Sequence, residues 1–128
     1  MKYPESYRYT REHEWIHLQG DVGTVGITHY AQEQLGDIVY VELPAVGQTF
    51  RQLQAFGTVE SVKTAADLYM PMSGEVIEVN QEVVQRPEII NQSPHERGWL
   101  IRIRIHDPAE FDRLMSAQEY EAYVEQSS

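Results

Sequence analysis

Two places in this chain of 128 residues carry side chains whose spacing could do chemistry. The first is His13-Glu14-Trp15-Ile16-His17, a match to H-E-x-x-H, in which two imidazoles share a zinc ion and the glutamate acts as general base. That chemistry needs a helix, where residues four apart lie about one 5.4 Å turn from each other. On a strand, four residues span roughly 13 Å, too far for one tetrahedral ion. The flanks favour a strand: Glu14, Ile16 and Leu18 alternate, Gly20-Asp21 follows at once, and a β-type run comes next. The motif is read as an edge strand with exposed imidazoles, and no metal is assigned. The second place is Lys63. The chain has eight arginines but only two lysines, Lys2 near the terminus and Lys63 in the middle. A lysine between strands is ordinarily a solvated loop residue, so its neighbourhood has to decide.

The elements around Lys63 read as short strands. Segments 57–62 and 68–72 run up to and away from a loop at 63–67, which places the lysine ammonium at a hairpin tip. Turns at Pro44-Ala45-Val46-Gly47 and Pro71-Met72-Ser73-Gly74 flank the pair. Segments 15–18 and 22–27 form a hairpin about Gln19-Gly20-Asp21, and 38–43 sets Val39, Val41 and Leu43 on one face. After 74–79, segment 99–105 alternates most cleanly, with Ile101, Ile103 and Ile105 inward and Arg102 and Arg104 outward. Three segments read as helical: 28–35, closed by Gly36; 86–91, interrupted by Pro87; and a C-terminal helix from Asp107. In the last, Asp107 as N-cap, Pro108 and Glu110 form a capping-box pattern ahead of Phe111, Leu114 and Met115. The pattern predicts a mainly β sandwich or barrel in one domain, 1–128. Its inward set is Ile27, Val39, Val41, Val59, Val76, Ile101 and Ile103.

Composition narrows the function classes. With no cysteine, the polypeptide has no disulfide, iron–sulfur ligation or thiol catalysis of its own. A net charge of −10 with no basic cluster argues against a nucleic-acid partner. Apolar runs are a few residues long, so no membrane span is expected. The N-terminal MKYPESYRYT lacks the apolar stretch of a secretory signal, and a cytoplasmic protein or a mature organellar form is expected.

A glutamate three residues before a hairpin lysine, followed by a P-x-S-G turn, resembles the biotinyl and lipoyl carrier domains. Longer strings narrow this. GITHYAQEQLGDIVYVELPAVG (26–47), ESVKTAADLYMPMSGEVIEVN (60–80) and GWLIRIRI (98–105) resemble the H-protein family of the glycine cleavage system, over nearly the whole chain. Biotin carriers show Met-Lys-Met where this chain has Val62-Lys63-Thr64. Lipoyl domains of acyltransferases show Asp-Lys-Ala and lack the N-terminal hairpin and C-terminal helix. Ala66 stands where many relatives have serine and Thr64 where many have alanine; both positions take small residues.

The resemblance implies a barrel-sandwich hybrid of two antiparallel sheets, with short helices and a C-terminal helix. It implies lipoate in amide linkage to Lys63 and a carrier that is not itself an enzyme. The arm would take an aminomethyl group from glycine decarboxylase, a pyridoxal-phosphate enzyme, to a tetrahydrofolate-dependent aminomethyltransferase. Dihydrolipoamide dehydrogenase would reoxidise the dithiol, and lipoate-attaching enzymes would load the lysine. By position, Glu14 and Asp67 match the acidic residues of a cleft that shelters the loaded arm, with Tyr30, Ala31 and Leu35 as an apolar wall. A carrier that relays lipoate to other proteins is the alternative within the same class, and a zinc hydrolase the alternative outside it.

Overall fold

The computed structural model describes residues 2–127. Two antiparallel sheets make up most of it. Strands β1 (Arg8–Tyr9), β2 (Glu14–Gln19), β3 (Val22–Ile27), β5 (Thr49–Phe50), β8 (Gly74–Val79) and β9 (Ile101–Ile105) form a six-stranded sheet in the order β1-β2-β3-β9-β8-β5. Strands β4 (Ile38–Glu42), β6 (Ala55–Ser61) and β7 (Ala65–Tyr69) form a three-stranded sheet in the order β4-β6-β7. This is the mainly β arrangement of two antiparallel sheets that the strand pattern predicts. Among the described residues no helix is long and apolar enough to cross a membrane.

Strand β9 is bonded on both sides, by β3 and β8, so its period-2 pattern controls the sheet's inner face. Ile101 and Ile103 are fully buried there with Val25, Val76 and Val59. Burying each such side chain contributes about 1.5–3 kcal/mol. Outward, the Arg102 guanidinium lies 3.9 Å from the Trp99 ring centroid and bonds Glu78 at 2.8 Å. A second, aromatic core forms where Tyr3, Tyr9 and Trp15 meet Tyr120 of α4 (Ala117–Ser127), with the Tyr9 and Tyr120 rings stacked at 4.8 Å.

Several expectations need correction. Val39 is 54 % exposed, because Ile38 pairs with Ser61 while Tyr40 already pairs with Glu60. The extra residue is a β-bulge, which turns Ile38 and Val41 inward and leaves Val39 and Tyr40 outside. The rest of the predicted inward set is buried. The loop after Lys63 is shorter than read, since β7 already starts at Ala65 and Asp67 pairs with Thr58 inside it. The motif is extended as predicted from Glu14 onward, with His13 just before β2, yet β2 is covered by β1 along Trp15 and Ile16 and both imidazoles are partly buried. Segment 81–92 holds two one-turn helices, α2 (Gln81–Gln85) and α3 (Glu88–Gln92), on either side of Pro87.

The C-terminal helix also begins later than its apparent cap. Residues Pro108–Arg113 form a 3₁₀ helix, and Leu114 is extended. Asp107 does cap it, accepting from the Ala109 N–H at 3.1 Å. Glu110, however, does not return to its cap. It is buried, and its two oxygens accept from the Ser73 N–H and hydroxyl, each at 2.7 Å. The reciprocal capping box lies further on: the Glu119 N–H donates to Ser116 Oγ (3.1 Å) and the Ser116 N–H to Glu119 Oε1 (2.8 Å), opening α4. Glu110 therefore ties the 3₁₀ helix to the turn between β7 and β8. Replacing it with Ala leaves a Ser73 N–H without its acceptor, and a stability loss of about 1–3 kcal/mol is expected in urea unfolding. Glu110→Gln, which keeps an acceptor, should lose less. A loss below a few tenths of a kcal/mol for Glu110→Ala contradicts the role.

Candidate functional site

Lys63 sits between β6 and β7 on a turn held by one hydroxyl. The Ser61 N–H donates to the Thr64 carbonyl at 2.7 Å. Ser61 Oγ accepts from the N–H groups of Lys63 (3.3 Å) and Thr64 (3.1 Å) and donates to the Thr64 carbonyl (3.2 Å). The Val62 N–H is taken by the Asp37 carbonyl at 3.0 Å, which fastens the turn to the end of α1 (His29–Leu35). The backbone at Lys63 is thus held on both sides while the side chain is exposed. Polar groups in a turn are satisfied locally, which is why a serine two residues before the lysine can order it. Sequence reading passed over Ser61, although its spacing to Thr64 carries a local signal.

The lysine stem crosses the end of α1. Thr28 caps this helix, accepting from the Ala31 N–H at 3.1 Å, and Gly36 closes it at φ +82°, as read from the sequence. A Cβ on Gly36 would lie 3.5 Å from Lys63 Cε. The next residue back, Leu35, lines a cavity of about 410 Å³ together with Tyr30, Ala31, Glu14 and Asp67. Every residue assigned to the cleft from the sequence therefore stands around one cavity. Its Leu35 wall adjoins Gly36, the residue beside which the Lys63 stem lies. Glu12, His13 and Tyr69 also line it.

The two acids differ in kind. Asp67 is exposed on β7, and its charge is the first cause that holds the Tyr69 phenol above its ordinary range. Glu14 is 1 % exposed. Its Oε1 accepts from the Thr10 hydroxyl at 2.6 Å and its Oε2 from the Tyr69 N–H at 3.2 Å. Burial is the larger influence and pushes its carboxyl up to about 8, although both hydrogen bonds act to lower it. Near neutral pH the carboxyl spends much of its time protonated. Both acids line the cleft to which they were assigned, Glu14 buried in its wall and Asp67 exposed.

Behind the cavity, Tyr120 reaches in from α4. Its hydroxyl lies 2.7 Å from His13 Nδ1 and 2.7 Å from Thr28 Oγ1, so one phenol joins the strand that holds Glu14 to the cap of α1. His13 adopts φ +74°, an uncommon conformation for a side-chain-bearing residue, and burial lowers its pKa. Tyr120 had no local signal, since its partners are 107 and 92 residues away, whereas Thr10 bonds Glu14 only four residues on, within one turn. The bulge at Val39 also bears on the site. Val39, Tyr40 and Val62, at 54, 48 and 72 % exposure, leave an apolar surface at the end of the three-stranded sheet that carries Lys63.

Comparison with known proteins agrees with this architecture. A family model described as glycine cleavage H-protein matches residues 7–127. The chain is 50 % identical over 126 residues to the glycine cleavage system H protein of Brevibacillus brevis, covering 98 % of this chain and 100 % of that one. Identity to the H protein of Halothermothrix orenii is 48 % over 126 residues, covering 98 % of each chain. The crystal structure of a glycine cleavage system H protein from Mycobacterium marinum aligns with a TM-score of 0.83 at 37 % identity, over 98 % of each chain. With a family match across almost its full length, this chain belongs to the glycine cleavage H-protein family.

Proposed function

We propose that the chain carries lipoate on Lys63 and moves an aminomethyl group within the glycine cleavage system. The observation that supports this best is the placement of Lys63: a held backbone, an exposed side chain, and a stem beside Gly36, the chain neighbour of Leu35 in the wall of the Glu14–Asp67 cavity. When bound, the lipoyl group supplies a reducible disulfide and a sulfur able to bear the aminomethyl group, redox chemistry that a chain without cysteine lacks.

The chain's own residues position rather than catalyse. The Ser61 turn points the attachment nitrogen at solvent, within reach of the lipoate-attaching enzyme, glycine decarboxylase, the aminomethyltransferase and dihydrolipoamide dehydrogenase. Val39, Tyr40 and Val62 offer these enzymes apolar contact around the turn. Inside the cleft Tyr30, Ala31, Leu35 and Leu68 displace water. Asp67 meets a protonated amine as a charge from the outset. Glu14 responds to one: a cation in the cleft favours its carboxylate form, so it ionises on loading and is largely neutral otherwise. A buried group of this kind holds a cation without keeping an unpaired charge in the empty cleft, whose desolvation would be costly.

Three outcomes test this reading. In Lys63→Arg the positive charge remains but no amide can form, so folding should be unchanged. Intact mass after treatment with a lipoate ligase should show no lipoyl increment; an increment on the variant would refute the assignment of Lys63. In Glu14→Gln with Asp67→Asn, both shapes persist without the charges. Lipoate attachment and reoxidation by the dehydrogenase should hold, while ammonia should leave the glycine-loaded carrier faster when the aminomethyltransferase is absent. Equal rates of ammonia release in the double variant and the parent would remove the cleft acids from the reading. The third outcome concerns pH. Between the ordinary glutamate value of 4.5 and about 8, folded Glu14 keeps a proton that the unfolded chain has lost. Its contribution to stability therefore falls as pH rises through that window and levels off above it. Glu14→Gln should flatten this slope and gain on the parent at alkaline pH, read as urea midpoints across the range. A parent whose Glu14-dependent stability rises with pH would contradict the burial argument.

A further inference from the structure

The arginines divide into two groups. Arg86, Arg97, Arg102 and Arg104 each pair with a carboxylate, at 3.6 Å to Glu88, 3.2 Å to Glu82, 2.8 Å to Glu78 and 3.6 Å to Asp21. Among the described residues the other four, Arg8, Arg11, Arg51 and Arg113, form no ion pair. Three of them are held instead by neutral groups. Arg8 lies 4.4 Å from the Phe111 ring centroid, Arg11 5.5 Å from that of Tyr123, and Arg113 donates to Gln52 Oε1 at 3.4 Å. The charge of Arg8 is felt by Glu119, whose carboxylate is engaged by the Ser116 N–H. In a chain of net charge −10, carboxylates are available almost everywhere. Guanidiniums without a carboxylate partner leave positive charge available to an approaching acidic group.

Two of these arginines line a groove of about 410 Å³, distinct from the arm cleft. Arg11 and Arg113 line it with Leu53, Leu114 and Met115, and Glu12 is its one acidic lining residue. Arg51 opens the turn that brings Gln52 and Leu53 into the wall. Leu53 is the unusual member. It is 64 % exposed and sits at φ +71°, where a leucine is strained. Its backbone cannot relax: the Leu53 N–H donates to the Met70 carbonyl at 2.8 Å, and Gln52 Nε2 bonds the Pro71 carbonyl at 2.9 Å. Those bonds account for the backbone, but the exposed leucine side chain, beside Arg11 and Arg113, gains no burial of its own. Glu12 lines both this groove and the arm cleft. The groove lies past the Tyr69 end of β7, away from Lys63.

We propose that this groove docks an acidic segment, carrying an apolar anchor, of one of the enzymes that the carrier serves. The segment's carboxylates pair with Arg11 and Arg113, and its anchor sits on Leu53, Leu114 and Met115. A second copy of this chain is the weaker occupant, because two chains of net charge −10 repel outside the groove. An enzyme held here grips the carrier beside the cleft and leaves the Lys63 turn free, so docking and arm presentation use separate surfaces. The proposal rests on the carrier reading above.

The test uses the full, lipoylated chain and measures its binding to purified glycine decarboxylase, aminomethyltransferase and dihydrolipoamide dehydrogenase at low and high salt. R11E with R113E should weaken at least one of the three by about tenfold or more and flatten its salt dependence. R11K with R113K, which keeps the charges, should stay within about threefold of the parent. R86E with R97E, the same change in net charge placed on the paired arginines, should have little effect. Leu53→Ser leaves every charge in place and should weaken the same enzyme, so the groove stays testable even if the double reversal fails to fold. Equal binding of all three enzymes by the parent, R11E with R113E, and Leu53→Ser overturns the groove while leaving the carrier reading intact. Self-association of the parent that R11E with R113E abolishes also overturns it, by assigning the groove to a second copy. A parent that binds none of the three enzymes overturns both.

Discussion

The two sheets are joined at the cleft by one carboxyl group. Strand β7 is the outer strand of the three-stranded sheet, and the Tyr69 N–H at its end has to find a partner beyond the sheet. Glu14, on β2 of the other sheet, supplies it and takes the Thr10 hydroxyl with its second oxygen. A buried carboxyl is costly unless hydrogen-bonded, and one with fixed partners also fixes the separation of the elements that carry them. The wall from Tyr30 to Leu35, the strand with Asp67 and the hairpin with Glu14 take their spacing from this contact and from the Tyr120 hydroxyl behind it.

That arrangement matches what a carrier needs. In the proposed reading the attachment point has to be rigid in its backbone and free in its side chain, and the Ser61 hydroxyl holds the Lys63 turn with bonds inside four residues. On the same proposal the shelter has to be close without being fused to the attachment point, and the Lys63 stem lies beside Gly36, next in the chain to Leu35 of the cavity wall. In that proposal no step requires the polypeptide to supply a nucleophile or a redox group. Its contributions are position, exclusion of water and a carboxyl group whose charge depends on what lies beside it.

Charge is used differently on different faces. On the outer face of the six-stranded sheet, Arg102 and Arg104 are neutralised by Glu78 and Asp21 beside them, which suits a surface that only has to stay solvated. Exposed pairs of this kind contribute little to stability, roughly 0–1 kcal/mol each, so their effect is on the field that an approaching partner meets. Around the cleft the acids dominate, and past its far end the unpaired arginines do.

Local pattern carried much of this protein. The 15–27 hairpin and the alternation of Ile101 and Ile103 were legible because a strand buried on one face repeats every two residues. Gly36 was legible because closing α1 requires a positive φ. Lys63, Glu14 and Asp67 came from resemblance, since no periodicity separates a carrier lysine from a loop lysine. Other features depended on partners distant in sequence. Val39 faces solvent because β6 offers one residue too few opposite the bulge, and Glu110 abandons its cap for a Ser73 that only the folded chain brings near. The same holds for Glu14. The sequence determined that a glutamate would stand on the second strand; the tertiary structure alone decided that it would be buried and largely protonated near neutral pH. A residue's period is a local property of the backbone, whereas its desolvation is set by every atom that excludes water around it.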